Sequence, residues 1–413
     1  MEKKIYPRSI CAEIQKYLFT DDIVVLHGAR QVGKTHILYW LRDRLKEQGR
    51  TVDYLDLEDS RVRSVLDRGA DEFVQYLKEK GLDPQRFSGQ EQDRIFVFID
   101  EIQYLNNPSS FLKLMADHHR SVKLIVSGSS SFDIKSKFQD SLVGRMVDFE
   151  IYNLSFREYL MFREVNLDPD TARTPKTIDD LRGHFRQFVI YGGYPKIVLT
   201  EEIEKKERYI QQIIDTYVRK DIRDLAKVRD IQKFNTLLEA LAPQSGQLLN
   251  ITELANTCDL AKQTVDEYLT ILEATYVIRR VRPYHKNIRS ELSKTPKVFF
   301  YDSGLMQMLW LKRLPQEVLG GVFETAVFAE LIKRYGPRDL FFWRTQRKQE
   351  IDFILKRPDA VTPYEVKLKF EQWNRSSVRY FCERYGIEKS YCIGLDGDAA
   401  PDEHIHPWEI HDK

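Results

Sequence analysis

Asp22-Ile-Val-Val-Leu-His-Gly28-Ala-Arg-Gln-Val-Gly33-Lys34-Thr35-His36 is a run of aliphatic and β-branched residues that ends in Gly-x-x-x-x-Gly-Lys-Thr. A segment with helical apolar spacing follows it, so the expected local order is strand, glycine-rich loop, helix. Gly28 and Gly33 free the backbone to curl, and the N–H groups from Ala29 through Arg30, Gln31 and Val32 then point inward at phosphate oxygens. The helix that opens at Gly33–Thr35 sets its positive dipole end beneath those oxygens. Lys34 can reach β- and γ-phosphates, and the Thr35 hydroxyl can ligate Mg²⁺. The stretch therefore calls for a nucleoside triphosphate together with Mg²⁺.

Outward from this loop, residues 8–19 read as a short amphipathic helix and Thr51–Leu57 as a second strand. Residues 61–81 read as helical and 82–93 as a polar loop. Arg94-Ile-Phe-Val-Phe-Ile-Asp100-Glu101 follows, an apolar strand ending in two carboxylates. Such a run suits a central parallel strand covered on both faces, and ligands of open α/β sheets sit at the carboxyl ends of strands. Asp100 suits a partner of Mg²⁺ across from Thr35, while Glu101 is placed to polarise a water for attack on the γ-phosphate. The next strand, from Val122, ends in Ser127-Gly-Ser129, whose hydroxyls are candidates for sensing the γ-phosphate; Ser129 is the catalytic candidate. Arg145 stands just before a further strand, Met146–Ile151, and is read as supplying charge to the γ-phosphate, in cis or from a neighbouring copy.

These segments also carry a resemblance. GARQVGKT, IFVFIDEIQ, SGSSS and LVGRMVDFEIYNLSFREY follow in the order and spacing of the AAA+ ATPases of a large prokaryotic family. Members of that family pair this core with a C-terminal domain of unknown function. The resemblance extends through Tyr191-Gly-Gly-Tyr-Pro195, Tyr217-Val-Arg-Lys-Asp221-Ile222 and Val298-Phe-Phe-Tyr-Asp302-Ser-Gly304-Leu. It implies an ATPase of the additional-strand class, with the P-loop strand central in its sheet.

From about 156 to 240 the pattern is helical, broken at 167–177, and suits a lid that closes on nucleotide. Gly192-Gly193-Tyr194-Pro195 reads as a chain reversal. Residues 249–280 read as helix, short turn, amphipathic helix and strand, an order similar to a winged helix-turn-helix whose second helix is led by Lys262, Gln263 and Thr264. The stretch 276–297 carries Arg279, Arg280, Arg282, Lys286, Arg289, Lys294 and Lys297 against one acid, Glu291, the surplus expected of a DNA-binding wing. Asp266 and Glu267 on the second helix act against a major groove.

Beyond residue 320 a helix carries Glu324 near its start. Two strands follow, one with Asp352 and one with Glu365-Val-Lys367. Period two sets Glu365 and Lys367 on one face. The order resembles nucleases of the PD-(D/E)xK class, which implies that Glu324, Asp352 and Glu365 hold Mg²⁺ or Mn²⁺ while Lys367 helps activate water. His404, His406 and His411 lack a third partner with metal spacing and read as solvated tail residues.

A chain of 413 residues exceeds one hydrophobic core, and 42% hydrophobic with 31% charged residues excludes a disordered chain. The net charge of +1 requires any nucleic-acid contact to come from local patches. Cys11, Cys258, Cys382 and Cys392 have no metal-ligand spacing and read as reduced, buried thiols. With no leader-like start and no long apolar run, a cytoplasmic protein without membrane contact is expected.

The expected fold is α/β: a P-loop AAA+ parallel-sheet core over 1–155, a helical lid over 156–240, a winged helix-turn-helix over 241–312, and a small nuclease-like α/β domain over 313–413. The leading function is ATP hydrolysis coupled to DNA, with a metal-dependent nuclease site. The alternative is a regulatory or signalling ATPase that acts through protein contacts, as a homo-oligomer or with another protein, its nuclease-like part inactive.

Overall fold

The computed structural model describes residues 5–84, 93–129, 142–222, 228, 230–285, 295–400 and 402–410, with backbone alone at Ser129, Lys220 and Asp221. The chain packs as two units, Met1–Asn153 and Leu154–Lys413.

In the first unit α1 (Ile10–Gln15) precedes β1 (Ile23–Gly28), which runs into α2 (Lys34–Glu47). β2 (Thr51–Asp56), α3 (Ser60–Asp67), α4 (Ala70–Glu79), β3 (Ile95–Asp100), α5 (Pro108–His118), β4 (Val122–Ser129) and β5 (Met146–Ile151) follow. Among the described residues the sheet order is β2-β3-β4-β1-β5, and each pairing is parallel. β1 and β3 are buried at every position, whereas β2 at the edge is mostly half-exposed. That contrast follows from an apolar run needing cover on both faces. α2 closes one face with Ile37, Leu38, Leu41 and Leu45.

The helical stretch expected over 61–81 is two helices. Gly69 separates them at φ 117°, a conformation that only glycine adopts without strain. The two ends of the sheet are chemically unlike. At the amino ends, Arg94 and the buried Lys123 both donate to the Thr20 carbonyl. Burial brings the Lys123 ammonium down to about 8. The carboxyl ends instead carry Gly28, Asp100 and Ser127.

The second unit begins with α6 (Phe156–Phe162), whose start is fixed by a reciprocal pair: Ser155 Oγ accepts from Glu158 N–H, and the Glu158 carboxylate accepts from Ser155 N–H. α7 (Pro175–Tyr191), α8 (Pro195–Val198) and α9 (Ile203–Ile213) follow, then a π-helical stretch, Ile214–Asp221, and α10 (Ile231–Leu241). Next come α11 (Ile251–Cys258) and α12 (Lys262–Ala274), joined by a short turn, and an antiparallel ladder of β6 (Ile278–Val281) with β7 (Lys297–Phe300). α13 (Ser303–Leu311) and α14 (Gly320–Tyr335) lead to β8 (Leu340–Arg344), β9 (Glu350–Lys356), β10 (Val361–Lys369), α15 (Ser376–Tyr385), β11 (Tyr391–Asp396) and β12 (His404–Ile405). The described order of this sheet is β12-β11-β10-β9-β8.

The reversal at Gly192–Pro195 and the Tyr301-Asp302-Ser303-Gly304 segment explain one another. Asp302 caps α13 by accepting from Leu305 N–H at 2.8 Å, and its other oxygen accepts from Gly193 N–H at 2.8 Å. Gly192 stands at φ 77°, and a Cβ there would collide with that carboxylate.

The tail expected to be solvated is part of the fold. His404 lies in β12 and stacks on Phe370 at 4.5 Å. His406 is buried, donates from Nδ1 to the Gly394 carbonyl, and stacks on Trp408 at 4.7 Å. Burial pushes His406 down to about 4. Aromatic stacking, invisible in a sequence of isolated polar residues, is the reason; His411 lies outside the described residues. The cysteines are free thiols, with Cys11, Cys258 and Cys392 buried and Cys382 half-buried. No helix among the described residues is long and apolar enough to cross a membrane.

Candidate functional site

The loop after β1 is built by backbone conformations that its sequence allows. Gly28 and Gly33 take φ 154° and 99°, and Gln31 takes φ 62°. A Cβ at Gly28 would collide with the Ile151 carbonyl of β5. Lys34, only 5% exposed, donates from Nζ to the Gly28 carbonyl at 3.0 Å and the Ala29 carbonyl at 2.7 Å. Burial lowers its ammonium to about 8, against the pull of Glu101 and Asp100. The lysine therefore rests on the loop's own carbonyls at the place where phosphate oxygens would compete for it.

Asp100 is held from three sides. Thr35 Oγ1 donates to its Oδ2 at 2.7 Å, Tyr54 Oη donates to the same oxygen at 3.0 Å, and Ser127 Oγ donates to Oδ1. A threonine hydroxyl and a carboxylate this close are hard oxygen donors, a set that fits Mg²⁺. Glu101 follows in a left-handed conformation, φ 58° and ψ 49°, which turns it out of the strand. Its N–H donates to Ser127 Oγ at 3.4 Å and its carboxylate accepts from Gln103. Burial raises the Glu101 carboxyl, with the neighbouring Asp100 adding to the rise while Gln103 and Lys34 oppose it. A carboxylate raised in this way is a better proton acceptor than a solvated one.

In the second unit, β9 and β10 set a further group of charges on one face. Lys367 Nζ lies 2.9 Å from Glu365 Oε1 and 3.4 Å from Asp352 Oδ2, and Val366 N–H donates to the same Asp352 oxygen at 2.8 Å. α14 brings Glu324 over this face. Lys297 of β7 completes the group: its Nζ lies 2.6 Å from Glu350, 3.4 Å from Glu324 and 3.9 Å from Asp352. Burial and Asp352 push the Glu324 carboxyl up to about 8, and burial with Asp352 pushes Glu365 up to about 7. Lys297 is raised in spite of its burial because the carboxylates surround it. Glu324, Asp352, Glu365 and Lys367 thus converge as the sequence suggests. Glu350 and Lys297 join them unannounced. Among the described residues no group of three His, Cys, Asp or Glu side chains is arranged to hold one metal ion. The divalent metal implied by the nuclease resemblance does not fit between Glu324 and Asp352, because the Lys297 ammonium stands there.

Comparison with known proteins separates the same regions. Residues 20–160 match the family model of an AAA domain. This part of the chain is an AAA domain. Residues 182–317 and 319–410 match two domains of unknown function, DUF8612 and DUF4143. An uncharacterized protein of Haemophilus influenzae is 27% identical over 361 residues, covering 86% of this chain and 84% of that one. An uncharacterized protein of Methanocaldococcus jannaschii is 24% identical over 438 residues, covering 99% and 89%. A solved structure, the replication initiator DnaA bound to AMPPCP and single-stranded DNA, is 17% identical and covers 64% of this chain and 86% of that chain. Its TM-score is 0.27.

The AAA domain places Arg145 far from its own P-loop. The Arg145 carbonyl accepts from Ile23 N–H at the amino end of β1, and Gly28 is at the other end, about 17 Å along the strand. Its guanidinium pairs with Asp117 at 2.6 Å. A role in cis on the γ-phosphate is therefore corrected: the strand that follows Arg145 points its other end at the site. Ser129 ends β4, but its side chain is outside the described residues, and Ser127 is the hydroxyl that meets Asp100.

The basic stretch is also reordered. Lys286, Arg289 and Lys294 lie outside the described residues. Arg280 pairs with Glu273 at 2.8 Å and Asp266 at 2.9 Å, Arg279 lies 3.5 Å from Glu273, and Lys297 is buried. Acids of the preceding helix take Arg279 and Arg280, while Arg282 is exposed. Tyr54 and Glu350 were not singled out from sequence. Glu350 had a signal, since period two puts it on the face of Asp352.

Proposed function

We propose that the AAA domain binds ATP with Mg²⁺ and hydrolyses it, and that the second unit reads the nucleotide state out to a protein partner. The observation that carries the hydrolysis is the three-sided hold on Asp100 beside Glu101. Thr35 and Asp100 would hold Mg²⁺, which when bound neutralises charge on the β- and γ-phosphates. The loop N–H groups and Lys34 bind and orient the phosphates, Lys34 exchanging the Gly28 and Ala29 carbonyls for their oxygens. Glu101 takes the proton of the attacking water as its oxygen bonds to the γ-phosphorus and the bond to the β–γ bridging oxygen breaks, leaving ADP and phosphate.

Two variants test this reading. Lys34→Ala is expected to weaken ATP binding by roughly tenfold or more, and Glu101→Gln to retain affinity while turnover falls about 10²–10⁴-fold. Equilibrium binding and steady-state phosphate release measure both, and undiminished turnover in Glu101→Gln removes that residue from the mechanism.

A protein partner is favoured because the exposed face of α12 carries Asp266 and Glu267 with Lys262 and Gln263, a mixed surface, and because Arg279 and Arg280 are already paired. A DNA reading draws on one observation, the α11–turn–α12 pair followed by the β6–β7 ladder, the order of elements used by winged DNA-binding modules. Binding to duplex DNA whose affinity falls steeply with salt would favour it over the protein partner.

A further inference from the structure

We propose that Lys297 is the resident cation of the carboxylate cleft in the second unit, so that Glu324, Glu350 and Asp352 are held together by an ammonium and not by a divalent metal. The position of the nitrogen carries this. It lies 2.6, 3.4 and 3.9 Å from oxygens of the three acids. An oxygen-coordinated ion sits about 2.0–2.6 Å from each of its ligands, so an ion and this ammonium would claim the same space.

Lys297 is delivered rigidly. It is the first residue of β7, its Cα is in register with Val281 of β6, and Leu248 bridges to it from the other side. Only 2% of the residue is exposed, so the ammonium has little freedom to leave. Two of the other carboxylate oxygens meet cations as well, while the buried Glu365 Oε2 has no hydrogen-bond partner. Arg344 donates to Glu350 Oε2 at 2.8 Å, and Lys367 holds Glu365 at 2.9 Å. Three cations, Lys297, Arg344 and Lys367, thus reach the four acids. The inference is independent of nucleotide hydrolysis and concerns the second unit alone.

The test uses the full chain without nucleotide and Mn²⁺ as the probe, read by electron paramagnetic resonance of free Mn²⁺. Wild type and Asp352→Asn are expected to bind the same number of Mn²⁺ ions up to about 1 mM, the weak end of oxygen-ligated sites. Lys297→Met, checked for folding by circular dichroism, is expected to gain one bound Mn²⁺, and the double variant Lys297→Met/Asp352→Asn to lose it again. A Mn²⁺ ion bound by wild type and lost in Asp352→Asn overturns the proposal, and this comparison decides even if Lys297→Met does not fold. A folded Lys297→Met that gains no Mn²⁺ also overturns it, since the acids would then not define a cation position.

Discussion

Tyr54 shows how much of a nucleotide site can depend on one hydroxyl. It donates to the Asp100 oxygen that also accepts from Thr35, so it fixes the carboxylate that Mg²⁺ would share. Tyr54→Phe removes that bond and keeps the ring. Hydrogen bonds to charged groups contribute about 1.5–3 kcal/mol, and the expected loss here is at the lower end because Thr35 and Ser127 remain. The half-saturating Mg²⁺ for hydrolysis should rise roughly tenfold, with ATP affinity in the absence of Mg²⁺ unchanged; equal Mg²⁺ dependence in both proteins would deny Tyr54 this part. Nothing local marks Tyr54 in sequence, because an aromatic in an alternating edge strand is ordinary. Lys297 was illegible for the opposite reason: in a run of basic residues it looked like solvated charge, and only packing beneath α14 and β9 reveals its partners. Asp100 and Glu101 were legible because an apolar strand ending in acids is itself the signal.

At the scale of elements, the P-loop strand, loop and helix were readable because each boundary is set locally, by Gly28, Gly33 and the apolar spacing of α2. The role of Arg145 was misread because its sequence distance from the strand start says nothing about which end of the sheet it occupies. β5 runs parallel to β1, so its first residue lies at the end remote from Gly28. Arg145→Ala should therefore leave the ATP affinity of the dilute protein unchanged, and loss of its surface pair with Asp117 should leave the stability nearly unchanged. Turnover that falls in Arg145→Ala and recovers when it is mixed with Lys34→Ala would instead assign the arginine to the nucleotide of a neighbouring copy. The same parallel pairing explains why the fold tolerates no side chain at Gly28, where β5 presses against the loop.

For the molecule as a whole, the carboxylate cleft makes stability depend on pH in an unusual direction. Glu324 titrates near 8 in the folded chain and near 4.5 in the unfolded one. Between those values the folded state keeps a proton that the unfolded state has released, so stability falls as pH rises. Glu365 acts likewise up to about 7. His406 opposes them only below 6.5, because its stabilisation is present above that value and is lost as pH falls toward about 4. From pH 6.5 to 8 the unfolding midpoint of the second unit should therefore drop, by the equivalent of about 1–2 kcal/mol per pH unit, steepest near pH 6.5 where both acids hold their protons. Glu324→Gln should flatten that slope in calorimetry, and a slope unchanged in the variant would assign it elsewhere. The ion pairs from β7 also bear on how the protein can be dissected. A fragment spanning residues 319–413, the natural choice from the family match to 319–410, would be cut free of Lys297. Glu324, Glu350 and Asp352 would then face one another with their central ammonium excised. Such a fragment should recruit Mn²⁺ or precipitate near neutral pH, and any metal dependence measured on it would be an artefact of the cut.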